Sequence, residues 1–190
     1  MIQILAILSA SAAGGLRVGL PLLILGLANL NTLWSEIPLL DQIRPEVVIG
    51  ILVSWTIFEI FGTKKLLGLR IIQIIQLIMS PVVGAMLAIG AAKWTEFDQA
   101  PFWLIGIIGG VFALILRFVL VGWFFRWGRL PIAFTFVEDI LSAILVIFAL
   151  RAPENGGIIA MLLLWIALRS SNEWRQWYLQ RKPTITLDNE

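Results

Sequence analysis

Five ionisable residues lie inside or at the ends of apolar stretches of this sequence: Arg17, Glu59, Arg117, Glu138 and Asp139. Arg117 sits within WLIGIIGGVFALILRFVLVGWFF, and Glu138 and Asp139 sit within PIAFTFVEDILSAILVIFAL. Each stretch matches the about 20 apolar residues with which a helix crosses a bilayer. An ionised group near the bilayer centre costs roughly 2.5–3.5 kcal/mol on insertion scales, so such groups are expected to meet one another or line a watery path. The two arms are joined by the short link 127–130 and are expected to run as antiparallel neighbours. At about 1.5 Å rise per residue, Arg117 falls roughly 15 Å from the link and the acidic pair roughly 10–12 Å. The hairpin 103–150 is therefore expected to organise the chain around an Arg117–Glu138/Asp139 cluster. Glu138 and Asp139 diverge by about 100° on a helix. One can take Arg117 while the other takes a second cation, for which Arg17 is the obvious candidate.

Other elements are expected to position this cluster. Arg17 follows Gly14 and Gly15 and precedes Gly19 and Pro21. Glycine and proline weaken a helix interior, and irregular backbone at membrane depth survives only where protein or a cavity surrounds it. The segment 2–30 is expected to be broken near Gly14–Gly15, as a broken helix or a re-entrant hairpin, with one kinked helix as the alternative. In 66–92, Gln73, Gln76, Ser80, Gly84 and Ala88 recur at three- and four-residue steps and form one stripe. Pro81 is expected to kink that helix. Small residues let membrane helices approach closely, so the stripe reads first as a packing face and second as a path lined by the glutamines. Gly106, Gly110, Ala113 and Arg117 make a similar stripe. Trp55, Thr56 and Glu59 share a face. The candidate site is thus Arg17, Glu59, Gln73, Gln76, Arg117, Glu138 and Asp139. Either it carries a small solute or ion, or it is a buried network that fixes helix register.

Composition bounds the chemistry. The 190 residues are 59% hydrophobic and 14% charged, with mean hydropathy +0.94, above the about 45–50% apolar content of soluble domains. There is no Cys and no His, which removes disulfides, thiol chemistry, structural zinc and His-ligated haem. No cofactor and no metal is expected, although a carboxylate-only Mg²⁺ or Ca²⁺ site would need neither residue. The net charge of +2 is too small to suggest a nucleic-acid partner. Nothing matches a P-loop, a nucleotide-binding glycine fingerprint or a Ser/His/Asp set. Glu138 and Asp139 diverge rather than converge as a dyad, so no enzymatic activity is expected.

The fold expected is all-α: a polytopic transmembrane helical bundle of about six membrane segments. They fall near 2–30, 45–61, 66–92, 101–127, 131–150 and 156–179, within one domain, 1–182, followed by a short frayed tail, 183–190. Lys64, Lys65, Arg70, Arg126, Arg129, Arg169, Arg175, Arg181 and Lys182 group on one side of such a bundle. Only Arg44, Lys93 and Arg151 group on the other. That bias puts the C-terminus in the cytoplasm. Trp174 and Trp177, with Arg175 and Arg181, read as an interfacial anchor.

The run GGLRVGLPLLILGL at 14–27, Glu59 before a Lys turn, SPVVGAMLAIG at 80–90 and EDIL at 138–141 carry a resemblance. Together they resemble an uncharacterised family of small bacterial integral membrane proteins, frequent in cyanobacteria and classed as a domain of unknown function. The resemblance implies a polytopic helical membrane protein and supplies no activity or cofactor. Two function classes follow. The first is a small transporter or channel, working as a homo-oligomer. The second is a non-catalytic accessory or assembly subunit of a larger membrane complex, with partner membrane subunits. Either would sit in the lipid bilayer of a bacterial inner membrane, or of a thylakoid.

Overall fold

The computed structural model describes residues 1–28, 44–62, 66–127 and 132–180. Among them there are seven helices and no strand: α1 (Ile2–Leu16), α2 (Gly19–Ala28), α3 (Pro45–Gly62), α4 (Leu66–Trp94), α5 (Phe102–Trp127), α6 (Ile132–Arg151) and α7 (Pro153–Gln180). The expected all-α class is what the chain adopts. Helices α3 and α7 begin on a proline and α5 begins just after Pro101, where a missing N–H costs nothing.

The chain is organised around α1, not around the 103–150 hairpin. α1 packs simultaneously against α4, α5, α6 and α7. Among the described residues α5 and α6 make almost no contact with each other, because α1 lies between them. The physical reason is the width of α1. Its buried residues include Ala6, Ser9, Ala10, Ser11, Ala12, Ala13, Gly14 and Gly15. Such small side chains leave a thin cylinder that four helices can surround.

The contacts are close enough to exclude any larger residue. A Cβ on Gly84 would lie 2.3 Å from the Ala113 Cβ, and one on Gly109 would lie 2.3 Å from the Ala88 Cβ and 2.7 Å from the Ser11 Oγ. A Cβ on Gly15 would lie 2.8 Å from the Ala113 carbonyl oxygen. Ser9 Oγ donates to the Leu145 carbonyl at 2.7 Å and Ser142 Oγ donates to the Ala13 carbonyl at 3.3 Å. These pairings set directions: α5 runs parallel to α1, and α6 runs antiparallel to it.

The break in the first segment falls at Arg17–Val18, not at Gly14–Gly15. Arg17 is extended, with φ −138° and ψ 147°, while its N–H still closes the last turn of α1 on the Ala13 carbonyl at 3.0 Å. Gly14 and Gly15 are helical and serve close contact. Pro21 explains the position. In an unbroken helix its ring would strike the Arg17 carbonyl, four residues back, and would offer that carbonyl no N–H. With α2 starting at Gly19, Pro21 occupies a first turn whose N–H groups have no helical partner in any case. Pro81, by contrast, is carried inside the continuous helix α4.

At the other end of α1, Gln3 Nε2 donates to the Thr95 carbonyl at 2.6 Å. That carbonyl belongs to the turn ending α4. There Phe97 N–H bonds the Ala92 carbonyl at 2.9 Å and Glu96 N–H bonds the Lys93 carbonyl at 3.1 Å. This is a Schellman ending, with Glu96 in the left-handed position, φ 52°, where glycine is usual.

Polarity is distributed inversely to that of a soluble protein. Ile51, Phe118, Trp103, Phe136, Ile140, Ile158 and Trp165 are each at least half exposed, whereas Arg17, Glu59, Gln76, Arg117 and Glu138 are buried. Among the described residues two stretches, Ile72–Trp94 and Phe102–Trp123, are long and apolar enough to cross a membrane, and only 44% and 50% of their most apolar windows are buried inside the protein. The core helix of a soluble protein would be mostly covered. The outward apolar halves fit lipid, so the chain is membrane-associated.

The anchor residues Trp174, Arg175 and Trp177 lie on the last turns of α7. Arg181, the tail 183–190, the loop 29–43, the turn 63–65 and the link 128–131 lie outside the described residues.

Candidate functional site

The end of α1 leaves carbonyl groups without helical partners, and the residues around it supply cations and dipoles to meet them. Arg117, on α5, is 1% exposed. Its Nη1 donates to the Leu16 carbonyl at 2.9 Å. Its Nη2 donates to Gln73 Oε1 at 3.0 Å and also to Gln76 Oε1. The guanidinium thus caps the C-terminal end of α1, which carries partial negative charge and favours a cation by up to about 2 kcal/mol in partly buried geometry.

Gln76 extends this contact. Its Nε2 donates to Glu59 Oε1 at 2.7 Å, while the same carboxylate oxygen accepts from Trp55 Nε1 at 2.8 Å. One amide therefore sits between an anion and a cation, accepting from Arg117 and donating to Glu59. Its orientation is fixed by the charges on either side. Gly19 of α2 packs on the same face of α3, where a Cβ would lie 2.9 Å from both Thr56 Oγ1 and Trp55 Cδ1.

Arg17 faces the other way, toward α6. Its Nε lies 2.6 Å from Asp139 Oδ1 and 3.8 Å from Glu138 Oε2, and its Nη2 donates to the Thr135 carbonyl at 3.4 Å. Two consecutive residues at the break thus serve two groups of charges. The Leu16 carbonyl takes Arg117, and the Arg17 side chain takes Asp139, with Glu138 at longer range.

The expected direct pairing of Arg117 with Glu138 or Asp139 is not made within ion-pair distance; Arg17 pairs with Asp139 and lies 3.8 Å from Glu138, which Arg117 reaches only through space. The cause is α1, whose end stands between α5 and α6 and brings its own cation. The rest of the expected set does converge on the break: Gln73, Gln76 and Glu59 join the Arg117 side. Glu59 is 4% exposed and bonded to Trp55 and Gln76. The stripe on α4 divides by chemistry. Gln73 and Gln76 bond the guanidinium, while Gly84 and Ala88 form close contacts with α5, and the Ser80 hydroxyl between them has no partner among the described residues. The carbonyl of Leu16 is not legible in the sequence, since a main-chain acceptor has no letter of its own. Pro21 was the available signal, because it frees the turn that precedes it.

Among the described residues no group of three or more carboxylates converges as a metal would require. What the arrangement offers is a charge-lined junction between a helix end and four other helices.

The chain belongs to the family described as Domain of unknown function (DUF4126), whose model matches residues 4–173. The match runs from the start of α1 into the last turns of α7, past Arg169, and so includes every residue of the junction. No curated protein and no solved structure matches this sequence.

Proposed function

We propose that this protein is a small membrane transporter or channel whose site is the junction at Arg17. One observation carries the reading: a helix stops inside the protein, and around the stop Arg17 of the break itself meets Glu59, Gln73, Gln76, Arg117, Glu138 and Asp139 from four other helices. Discontinuous helices whose ends and unwound backbone meet charged groups are how many transporters build their sites. Ionisable residues at membrane depth are costly and mark ion or substrate pathways.

The reading takes α3 to α7 as five crossings and α1–α2 as a re-entrant hairpin, six membrane segments in all. Its support is directional. α1 starts beside the turn after α4, through Gln3 and Thr95. α3 meets α4 through Glu59 and Gln76 and is joined to its start by three residues. For α3 to cross toward that start, the chain must leave α2 on the side where α1 entered. The basic residues then place the C-terminus in the cytoplasm and the N-terminus opposite. The membrane is a bacterial inner membrane or thylakoid, and a chain of this size works as a homo-oligomer.

The test is flux into proteoliposomes under an imposed potential, with protons, sodium ions and a small alkylammonium as probes. Wild-type flux that falls at least roughly tenfold in both Arg17→Gln and Glu138→Gln supports the reading. Flux equal to that of empty liposomes for every probe removes it.

A second reading, an accessory subunit, is favoured by one surface. Pro81, Ala85 and Ile89 of α4 and Trp103, Gly106 and Val111 of α5 line an open, apolar, outward-facing groove. Small residues there would admit a partner helix. Gentle extraction from the native membrane, followed by native gel and mass spectrometry, decides it: co-migration with other chains at fixed stoichiometry favours the subunit.

A further inference from the structure

Two cavities of opposite character meet on the outward side of α4 and α5. The first is the open apolar groove, of about 550 Å³, that ends at Ile89 of α4 and Trp103 of α5. Its floor is made by close approach: a Cβ on Gly110 would lie 2.7 Å from the Pro81 carbonyl oxygen. The second, of about 440 Å³, is lined by Lys93, Glu96, Phe97, Asp98 and Phe102. Lys93 is one helical turn beyond Ile89, and Phe102 is the neighbour of Trp103, so the row that walls the groove continues into the polar cavity.

Along this path the chemistry changes as it does through one leaflet of a bilayer. The groove has no charged residue in its wall. From Pro81 to Ile89 it runs about 12 Å at 1.5 Å per residue, close to the about 15 Å that is half of a bilayer's hydrocarbon core. A partner helix crossing the membrane would need a seam twice as long; an acyl chain needs one of this length. Trp94 and Trp103 are 43% and 66% exposed where the groove gives way to the polar cavity, and tryptophan favours the headgroup level.

The polar cavity presents one ammonium and two carboxylates. Lys93 Nζ stands 5.4 Å over the Phe102 ring. Glu96 and Asp98 are exposed, and among the described residues neither carboxylate is in an ion pair. The turn that carries them is fixed by its Schellman bonds and by Gln3, whose Nε2 reaches the Thr95 carbonyl at 2.6 Å and the Glu96 carbonyl at 3.4 Å. Carboxylates take hydrogen-bond donors and an ammonium takes an acceptor. Two negative groups against one positive repel a headgroup of net negative charge.

We infer that the paired cavities are a binding site for one membrane glycerolipid, with an acyl chain in the groove and, in the polar cavity, a headgroup that carries hydrogen-bond donors and no net negative charge. The site lies apart from the junction at Arg17 and does not depend on the transport reading.

The experiment is native mass spectrometry of the full chain released from nanodiscs of equal parts phosphatidylethanolamine, monogalactosyldiacylglycerol, phosphatidylcholine and phosphatidylglycerol. Wild type should keep one lipid. The ethanolamine or the galactose headgroup should be enriched at least roughly threefold over choline, which has no donor, and over the phosphatidylglycerol headgroup, which has donors but is anionic. Enrichment of the first identifies an ammonium as the donor, and of the second, sugar hydroxyls; either supports the site. Glu96→Gly combined with Asp98→Asn removes both carboxylates and puts glycine where the left-handed turn favours it. It should erase the enrichment and leave the retained lipid in place. Ile107→Trp fills the groove from a position 56% exposed, outside the helix contacts, and should lower lipid retention at least roughly threefold. No retained lipid in wild type, a retained lipid of bulk composition, enrichment unchanged without the carboxylates, or retention unchanged in Ile107→Trp would overturn the inference. A protein chain retained in place of the lipid, and lost in Ile107→Trp, would overturn it in favour of a partner helix.

Discussion

Between Leu5 and Gly15 the first helix touches its neighbours through glycine, alanine and serine, whereas at Leu16 and Arg17 it meets guanidinium, amide and carboxylate groups. The two regions are adjacent on one helix and are held by opposite means. In the first, backbones approach until a single Cβ no longer fits. Each contact is weak, and their sum depends on nothing being added. In the second, each group is costly to bury and tolerable only because a specific partner answers it. The seam should therefore be sensitive to added atoms and the junction to removed ones. That asymmetry separates a packing face from a polar site more cleanly than burial does, since Ala13 and Arg117 are equally buried.

The largest effect should come from removing the cap on α1. Arg117→Leu strands the Leu16 carbonyl and both glutamines, and should destabilise the protein by about 3–5 kcal/mol in denaturant unfolding in detergent. A loss under about 1 kcal/mol would mean that the junction is solvated by something other than its own side chains. Next comes the seam. Gly109→Ala should cost about 1–3 kcal/mol through overpacking, and Ala88→Gly in the same chain should recover part of it, because the two Cβ positions collide at 2.3 Å. No recovery would place the strain on Ser11 Oγ instead, at 2.7 Å. Deleting atoms from the seam should matter less. Ser9→Ala loses one hydrogen bond to the Leu145 carbonyl and should cost about 1 kcal/mol. Smallest, and of opposite sign, is Glu96→Gly. It relieves a left-handed residue and should raise stability by about 0.5 kcal/mol once the extra chain entropy of glycine is counted.

The same contrast explains what could be read from the letters. The helices follow the apolar runs, and the α4 stripe was legible as period, because buried faces repeat every three to four residues. Arg17 was recognised as a possible partner of the acidic pair. The hairpin inference failed for a specific reason. A short link brings two helices to the same end of the bundle but does not make them pack, and α1 was narrow enough to enter between them. That clue lay in the composition of 6–15, nearly all Ala, Ser and Gly, rather than in any charge. Glycine weakens helices in water, and on that ground alone Gly14–Gly15 reads as the break. Inside this bundle glycine buys proximity, and the break belongs to proline, four residues downstream of the carbonyl it frees. The convergence of Gln73, Gln76 and Glu59 on Arg117 is tertiary and needed the fold.

The most direct test of the arrangement is a pair of double-mutant cycles on stability, one for Arg17→Gln with Asp139→Asn and one for Arg117→Gln with Asp139→Asn. Groups in contact couple by about 0.5–3 kcal/mol, and separated groups add within about 0.5 kcal/mol. The structure predicts coupling above about 1 kcal/mol for Arg17 with Asp139 and additivity for Arg117 with Asp139. Coupling in the second cycle and additivity in the first would contradict it, and would return the acidic pair to Arg117 and the 103–150 hairpin to the centre of the fold.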